Sequence, residues 1–319
     1  MSKIKEIFKR MGKILRPRKG SLQFWPRKRA KKIYANIKSW KRTKDHKLLG
    51  FIGYKVGMTH LHYISHNPNI KDKTETFSSA TIIECPPLKP LSLRFYKKTP
   101  YGSHVICEIL SKNLDKELQR KITVPKKQKE EKIPEDYDYI KLVVYTQPKL
   151  TTIGKKKPEI IELGLSGNIE FAEELLKKSE IKISEVFREN QYVDTHAVTK
   201  GKGIQGPVKR FGVSLKQHKS EKGIRRVGSL GNWYAKTWRV AHPGQTGFFK
   251  RTEYNKLIFK IANDKEINQS SGFHKYGIIK NDYILLKGSV AGLQKRAIII
   301  TESIRDKKPH QVSIISIKK

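Results

Sequence analysis

Apolar positions along the chain gather in short runs separated by charged and glycine-containing stretches. Residues 48–58 (LLGFIGYKVGM) are apolar and punctuated by Gly50, Gly53 and Gly57. That pattern predicts a strand whose backbone approaches its neighbours closely. Residues 80–85 (ATIIEC) predict a second strand, stopped by Pro86 and Pro87. Residues 139–145 (YIKLVVY) predict a third. Residues 282–289 and 296–300 predict two more, joined through Gly288 to Gly292. One helix is expected after Asn168, a candidate N-cap, with Phe171 and Leu175 four apart. Glu170, Glu173 and Glu174 lie near its start and Lys177 and Lys178 near its end, which suits the helix dipole. Ile4, Ile7, Phe8, Met11, Ile14 and Leu15 fall at helical spacing, so a short basic amphipathic helix is expected over residues 1–15.

Composition narrows the class. The 319 residues are 37% hydrophobic, below the roughly 45–50% of an average globular chain. One core is possible, but it cannot use the whole chain. No run approaches the roughly 18 apolar residues of a membrane span, and the N-terminus lacks a signal peptide's apolar stretch. Cys85 and Cys107 are the only cysteines. They exclude a disulfide framework and a four-cysteine zinc site, and imply a reducing, intracellular location.

The formal net charge is +39, so a polyanionic partner is expected. Residues 1–47 hold 18 Lys+Arg against Glu6 and Asp45, and residues 198–260 hold 15 against Glu221 and Glu253. Residues 108–190, with 16 acids and 17 bases, are almost neutral and suggest an α/β insertion. The N-terminal stretch reads as an extended arm because Pro17, Gly20 and Pro26 interrupt any helix. Phe24, Trp25, Tyr34 and Trp40 are interleaved with its charges, so cations can meet phosphates while aromatic faces stack on bases. The stretch from Thr199 to Phe259 is basic, holds nine glycines between 201 and 247, and carries Trp233, Tyr234, Trp238, Phe248, Phe249 and Tyr254. It is expected to build no core of its own and to order on structured RNA.

Other motifs are weaker. Gly201, Gly203 and Gly206 match GxGxxG, but Pro207, Lys209, Arg210 and Gly212 follow where a dinucleotide fold needs a helix. A Lys/Gly loop that approaches phosphates fits better. His60, His62 and His66 form HxHxxxH without a supporting Cys or carboxylate pair, which suits a polar strand edge better than a metal site. Neither a Walker loop nor a nucleophile elbow is present, and the basic stretch has too few acids for metal-dependent nuclease chemistry. An architectural DNA-binding protein and an RNA-modifying enzyme remain as alternatives to an RNA-binding structural protein.

An ordered set of segments resembles the family of the third universal protein of the large ribosomal subunit, in its archaeal/eukaryotic form and closest to archaeal members. The set comprises Gly20-Ser21-Leu22 with residues 25–29 (WPRKR), residues 50–60 (GFIGYKVGMTH), Thr146-Gln147-Pro148, residues 156–159 (KKPE), 198–203 (VTKGKG), Gly231-Asn232-Trp233, 243–247 (PGQTG) and 251–255 (RTEYN). The resemblance implies a mainly β fold: a translation-factor-type β-barrel with an α/β insertion, a basic N-terminal arm and a long central finger loop. The expected divisions are 1–47 for the arm, 48–107 for the first part of the barrel, 108–190 for the insertion and 191–319 for the rest, with the finger over about 199–257. It further implies a non-enzymatic constituent of cytoplasmic ribosomes that binds large-subunit rRNA, lies beside other large-subunit proteins and supports assembly. No cofactor, metal, membrane or small-molecule substrate is expected. Trp233 matches the family's finger tip, which points toward the peptidyl-transferase region. The candidate RNA contacts are Arg16, Arg18, Lys19, Trp25, Arg27, Lys28 and Arg29 in the arm. In and beside the finger they are Lys200, Lys202, Lys209, Arg210, Lys216, His218, Lys219, Lys222, Arg225, Arg226, Trp233, Arg239, His242, Lys250 and Arg251.

Overall fold

A computed structural model describes residues 23–43, 45–66, 74–125, 133–219, 222–228, 240–263, 267–305, 307–308 and 311–317. The expected helix over residues 1–15 lies outside them. The chain divides into a larger unit, residues 31–199 with 250–319, and a smaller one, residues 1–30 with 200–249.

The larger unit is mainly β. In chain order it contains β1 (Lys47–Leu48), β2 (Gly50–Ser65), β3 (Glu75–Glu84), β4 (Lys89–Thr99), β5 (Gly102–Leu110), β6 (Tyr139–Tyr145) and β7 (Ile160–Ser166). Helices α1 (Ile169–Lys177) and α2 (Ile183–Val186) and strand β8 (Tyr192–Val198) follow. The smaller unit then contributes β9 (Gly201–Gln205), α3 (Pro207–Phe211) and β10 (Gly244–Gly247). The larger unit resumes with β11 (Lys250–Ala262), β12 (Tyr283–Lys287), β13 (Ala297–Glu302) and β14 (Val312–Ile317).

Two sheets make the larger unit. One runs β13-β8-β11-β12-β3-β2-β14, and β13 also pairs with β2, so six of its strands form a closed ring of pairings. Ile299 sits opposite His196 of β8 on one side and opposite Ile52 of β2 on the other. The second sheet runs β1-β7-β6-β4-β5, and every named pairing in it is antiparallel. Phe51, Ile52, Tyr54, Ile82, Ile83, Leu285 and Ile298 are fully buried in the main core. The close approach expected in β2 is met at Gly53, where a Cβ would lie 2.5 Å from Ile83 Cγ2 and 2.9 Å from the Glu84 carbonyl oxygen. At Gly57 the nearest atoms are 3.8 Å away, so that glycine answers no such need.

Several expectations change. The compositional change at residue 108 falls inside β5, so the near-neutral segment shares its sheet with β4 and the start of β5. Asn168 is the N-cap of α1 through its backbone, its carbonyl accepting from Ala172 N–H at 3.3 Å, and its side chain makes no capping bond. Residues 250–257, expected in the finger, are the first part of β11. Tyr34 and Trp40 do not stand ready for bases; both pack against the main core of the larger unit. A Cβ at Gly164 would meet the Trp40 ring at 2.6 Å, so that glycine makes room for the indole.

Candidate nucleic-acid interface

The smaller unit is a short antiparallel ladder with a one-turn helix beside it. Gly244 pairs with Gln205, Gln245 with Ile204, and Gly247 with Gly201, with a bulge before Gly247. At Gly247 the backbone has φ +71°, and a Cβ would sit 2.0 Å from the Lys200 carbonyl oxygen. Only glycine fits that corner. The expected Lys/Gly loop over 201–206 is therefore strand β9, and a helix does begin at Pro207, contrary to the sequence expectation. Pro207 stands in the first turn, where a missing N–H costs nothing, and Gly212 closes the helix in the left-handed region, its N–H donating to the Val208 carbonyl at 3.0 Å. The dinucleotide reading still fails. Strand β9 lies in a two-stranded antiparallel ladder, and α3 has only five residues.

Arginine and aromatic side chains hold these pieces together. Arg210 Nε donates to the Gln245 carbonyl at 3.1 Å and its Nη1 to the His242 carbonyl at 3.0 Å. Partial burial pulls its pKa below the usual guanidinium range. Arg27 Nη1 donates to the Arg210 carbonyl at 2.5 Å, and its guanidinium lies 4.2 Å from the centre of the Phe211 ring. Trp25 sits 6.5 Å from the same ring. Ala30 N–H donates to the Phe248 carbonyl at 2.9 Å, and Arg29 lies 5.1 Å from the Phe248 ring. Phe211 and Phe249 are buried. In the described part of this stretch single rings are nonetheless covered, and Arg27 and Arg210 brace the ladder around them. Phe211 and Gln245 carry much of this arrangement; Gln245 falls in the quoted segment 243–247, whereas Phe211 did not stand out in the sequence. The only signal was an aromatic residue just before a glycine helix stop.

Among the described residues every charge of this unit is cationic. Lys28, Arg29, Lys200, Lys202, Lys209, His218, Lys219, Lys222, Arg225 and Arg226 are exposed, and Lys216 and His242 are half-buried. Among the described residues of this unit there is no Asp or Glu. Trp25 keeps 40% of its surface and Phe24 42%, so aromatic faces remain open among the charges. Lys250 and Arg251 belong to the larger unit, at the start of β11 opposite Val198 and Ala197. Arg16, Arg18, Lys19, Trp233 and Arg239 lie outside the described residues.

Elsewhere, His60 and His62 lie on β2 at 5.0 and 5.4 Å from the Phe77 ring, and His66 Nε2 is 2.8 Å from Ser313 Oγ. Among the described residues no group of three or more His, Cys, Asp or Glu could hold a metal ion, and no helix is long and apolar enough to cross a membrane.

Comparison with known proteins gives a single answer. Large ribosomal subunit protein uL3 of Methanobrevibacter smithii is 45% identical, across 91% of this chain and 92% of its own length. The protein of the same name from Methanocaldococcus jannaschii is 44% identical across 93% of each chain. That of Archaeoglobus fulgidus is 44% identical across 93% of this chain and 95% of its own. The family model for ribosomal protein L3 matches residues 11–314. A relationship of that depth, over a mainly β body carrying a cationic unit without described acids, means that the chain belongs to the ribosomal protein L3 family.

Proposed function

We propose that the chain is a non-enzymatic constituent of the large subunit of cytoplasmic ribosomes, where it binds large-subunit rRNA directly and supports assembly. On this reading the six-stranded ring is a translation-factor-type β-barrel, and β6, β7 and α1, which complete the five-stranded sheet, belong to the insertion. The arm and the finger, now bounded at about residues 199–249, are the RNA-contacting extensions, and neighbouring large-subunit proteins cover other faces. The domain divisions 1–47, 48–107, 108–190 and 191–319 are proposed as functional segments, although the strands cross two of those borders.

The observation that carries the reading is a set of ten exposed cationic or histidine side chains in the smaller unit with no carboxylate among its described residues. Such a surface repels itself and is relieved by phosphate. Exposed Lys and Arg contact phosphates and position the unit, while Trp25 and Trp233 stack on bases or sugars. Arg27 and Arg210, whose guanidinium groups donate to carbonyls, brace the ladder and orient the others. Trp233 is the tip that approaches the peptidyl-transferase region, and Arg225 with Arg226 anchors the path to it. The test is cosedimentation: the native protein is expected to stay with the large subunit through a high-salt wash. Release of the protein together with loosely bound factors would overturn the reading. Arg225→Ala with Arg226→Ala is expected to impair subunit assembly, and Trp233→Ala to allow incorporation while altering peptidyl transfer.

A further inference from the structure

Three cations of the larger unit donate to backbone carbonyls, and all three act on or from one loop. Residues 288–296 join β12 to β13. Lys55 Nζ donates to the Val290 carbonyl at 2.5 Å, and Lys256 Nζ to the Ser289 carbonyl at 2.8 Å. Thr81 Oγ1 donates to the Gly288 carbonyl at 2.7 Å. The other end of the loop is tied to β2. Lys55 N–H donates to the Arg296 carbonyl at 3.1 Å, and Lys295 N–H donates to the Lys55 carbonyl at 2.8 Å. Arg296 N–H closes a turn on the Leu293 carbonyl, also at 3.1 Å. The backbone of Arg296 is therefore held from both sides, which gives its side chain a fixed starting point.

That side chain reaches the end of β8. Arg296 Nη1 donates to the Val198 carbonyl and to the Thr199 carbonyl, both at 2.8 Å. Val198 is the last residue of β8, is fully buried and stands opposite Lys250, the first residue of β11. Thr199 is the last residue of the larger unit before the chain passes into the smaller one. The loop packs on the same stretch: a Cβ at Gly292 would lie 3.6 Å from Ala197 Cβ and 3.7 Å from the Val198 carbonyl oxygen. Hydrogen bonds from an ionised donor are the stronger kind. One guanidinium thus fastens two consecutive carbonyls at the point where the sheet ends and the finger begins.

We infer that Arg296 is a positioning residue for the finger: it grips the Val198 and Thr199 carbonyls and so fixes the root from which the finger leaves the body, without itself touching RNA. The consequence for binding rests on the RNA-binding reading above and deepens it. A root that is already ordered adds no ordering cost when the finger meets its partner, so Arg296 raises affinity through the backbone it holds.

The test uses the full-length protein and a transcript of large-subunit rRNA, with binding measured across a salt series. Arg296→Met keeps most of the stem and removes the donors. Its affinity should fall about tenfold, the cost of ordering one freed backbone residue. The slope of log K against log salt should stay at the wild-type value, because no phosphate contact is lost. Arg296→Lys, which keeps a charged donor, should recover part of the affinity. A slope reduced by roughly 0.7–0.9, the share of one phosphate contact, would show that Arg296 meets RNA and would overturn the inference. Unchanged affinity in Arg296→Met would overturn it too. Hydrogen exchange without RNA separates positioning from a general loss of fold. Faster exchange over residues 199–205 and 244–251, with Ile82 of β3 and Leu285 of β12 unchanged, supports the clamp. Equal acceleration at Ile82 and Leu285 assigns Arg296 to overall stability and defeats it. If the wild type shows no salt-dependent binding, the RNA reading fails, and the exchange result still decides whether Arg296 holds the root.

Discussion

In the larger unit, Glu302 lies 3.4 Å from Lys41 and 3.1 Å from Lys47, and Glu162 lies 2.5 Å from Arg94 and 3.4 Å from Lys141. Fully buried Glu84 accepts from the Tyr276 hydroxyl at 2.5 Å, from the backbone N–H groups of Lys280 and Asn281 at 2.9 and 3.1 Å, and from Asn281 Nδ2 at 2.8 Å. In the smaller unit, 22 Lys+Arg stand against Glu6 and Glu221. No carboxylate lies among the described residues there, and carbonyls and ring faces receive the guanidinium groups of Arg27 and Arg210. The difference teaches that charge serves packing in one unit and recognition in the other. A unit with acids enough to pair many of its cations folds by itself, whereas one with only two acids gains most from a polyanion.

Deleting residues 1–30 should have the largest effect on recognition. That segment holds 11 Lys+Arg. If about half meet phosphate, the salt slope of RNA binding falls by roughly 4, while the melting temperature of the larger unit hardly moves. An unchanged slope would erase the contrast between the units.

Trp40→Ala should do the reverse. Although it lies within the expected arm of residues 1–47, Trp40 packs on the core against Gly50 and Gly164. Truncation should cost about 3–5 kcal/mol of stability and leave the salt slope alone, as read by denaturant unfolding and RNA titration.

Acid should weaken the larger unit through His196. Its ring nitrogens lie 3.0 Å from Thr252 Oγ1 and 3.0 Å from Thr301 Oγ1, and burial pushes its pKa from 6.5 down to about 4, with Asp194 pulling it up slightly. The unfolded chain therefore takes up the proton first. Stability is full above about pH 6.5, falls as the pH drops and levels off below about 4, a total loss of about 3 kcal/mol. His196→Gln should flatten unfolding free energy across that window; an unaltered pH dependence would show that another group dominates it.

The smallest expected effect sharpens the comparison within a single residue type. Trp25→Ala removes an indole that is 40% exposed. It should weaken RNA binding by about 1–3 kcal/mol and shift the melting temperature little. A large melting shift would assign Trp25 to packing, as with Trp40.

Local apolar pattern was enough for several elements. Residues 139–145 and the run after Asn168 carry their own strand and helix signals, and β6 and α1 occupy those places. Charge composition alone separated acid-poor from acid-rich segments, because a polyanion site needs only residue types and not their geometry. Strand β8 was not among the strands that the apolar pattern predicted. Asp194, Thr195 and His196 are polar and break any apolar run, yet every position of β8 is buried. They are tolerated because Asp194 accepts from Asn255 and Ile304 N–H at 2.8 and 3.0 Å, and because His196 sits between two threonines. The partners lie 61 and 110 residues away from Asp194, so no local window contains them. The same distance hid the division among aromatics and cations. Sequence determined that Trp25 and Trp40 lie in a basic N-terminal stretch and that residues 201–247 are rich in glycine and cations. Only the tertiary structure decided that one indole is left open and the other fills a core, and that Arg210 braces a ladder rather than standing free. Burial and pairing depend on which distant segment arrives, and chain order does not encode that locally.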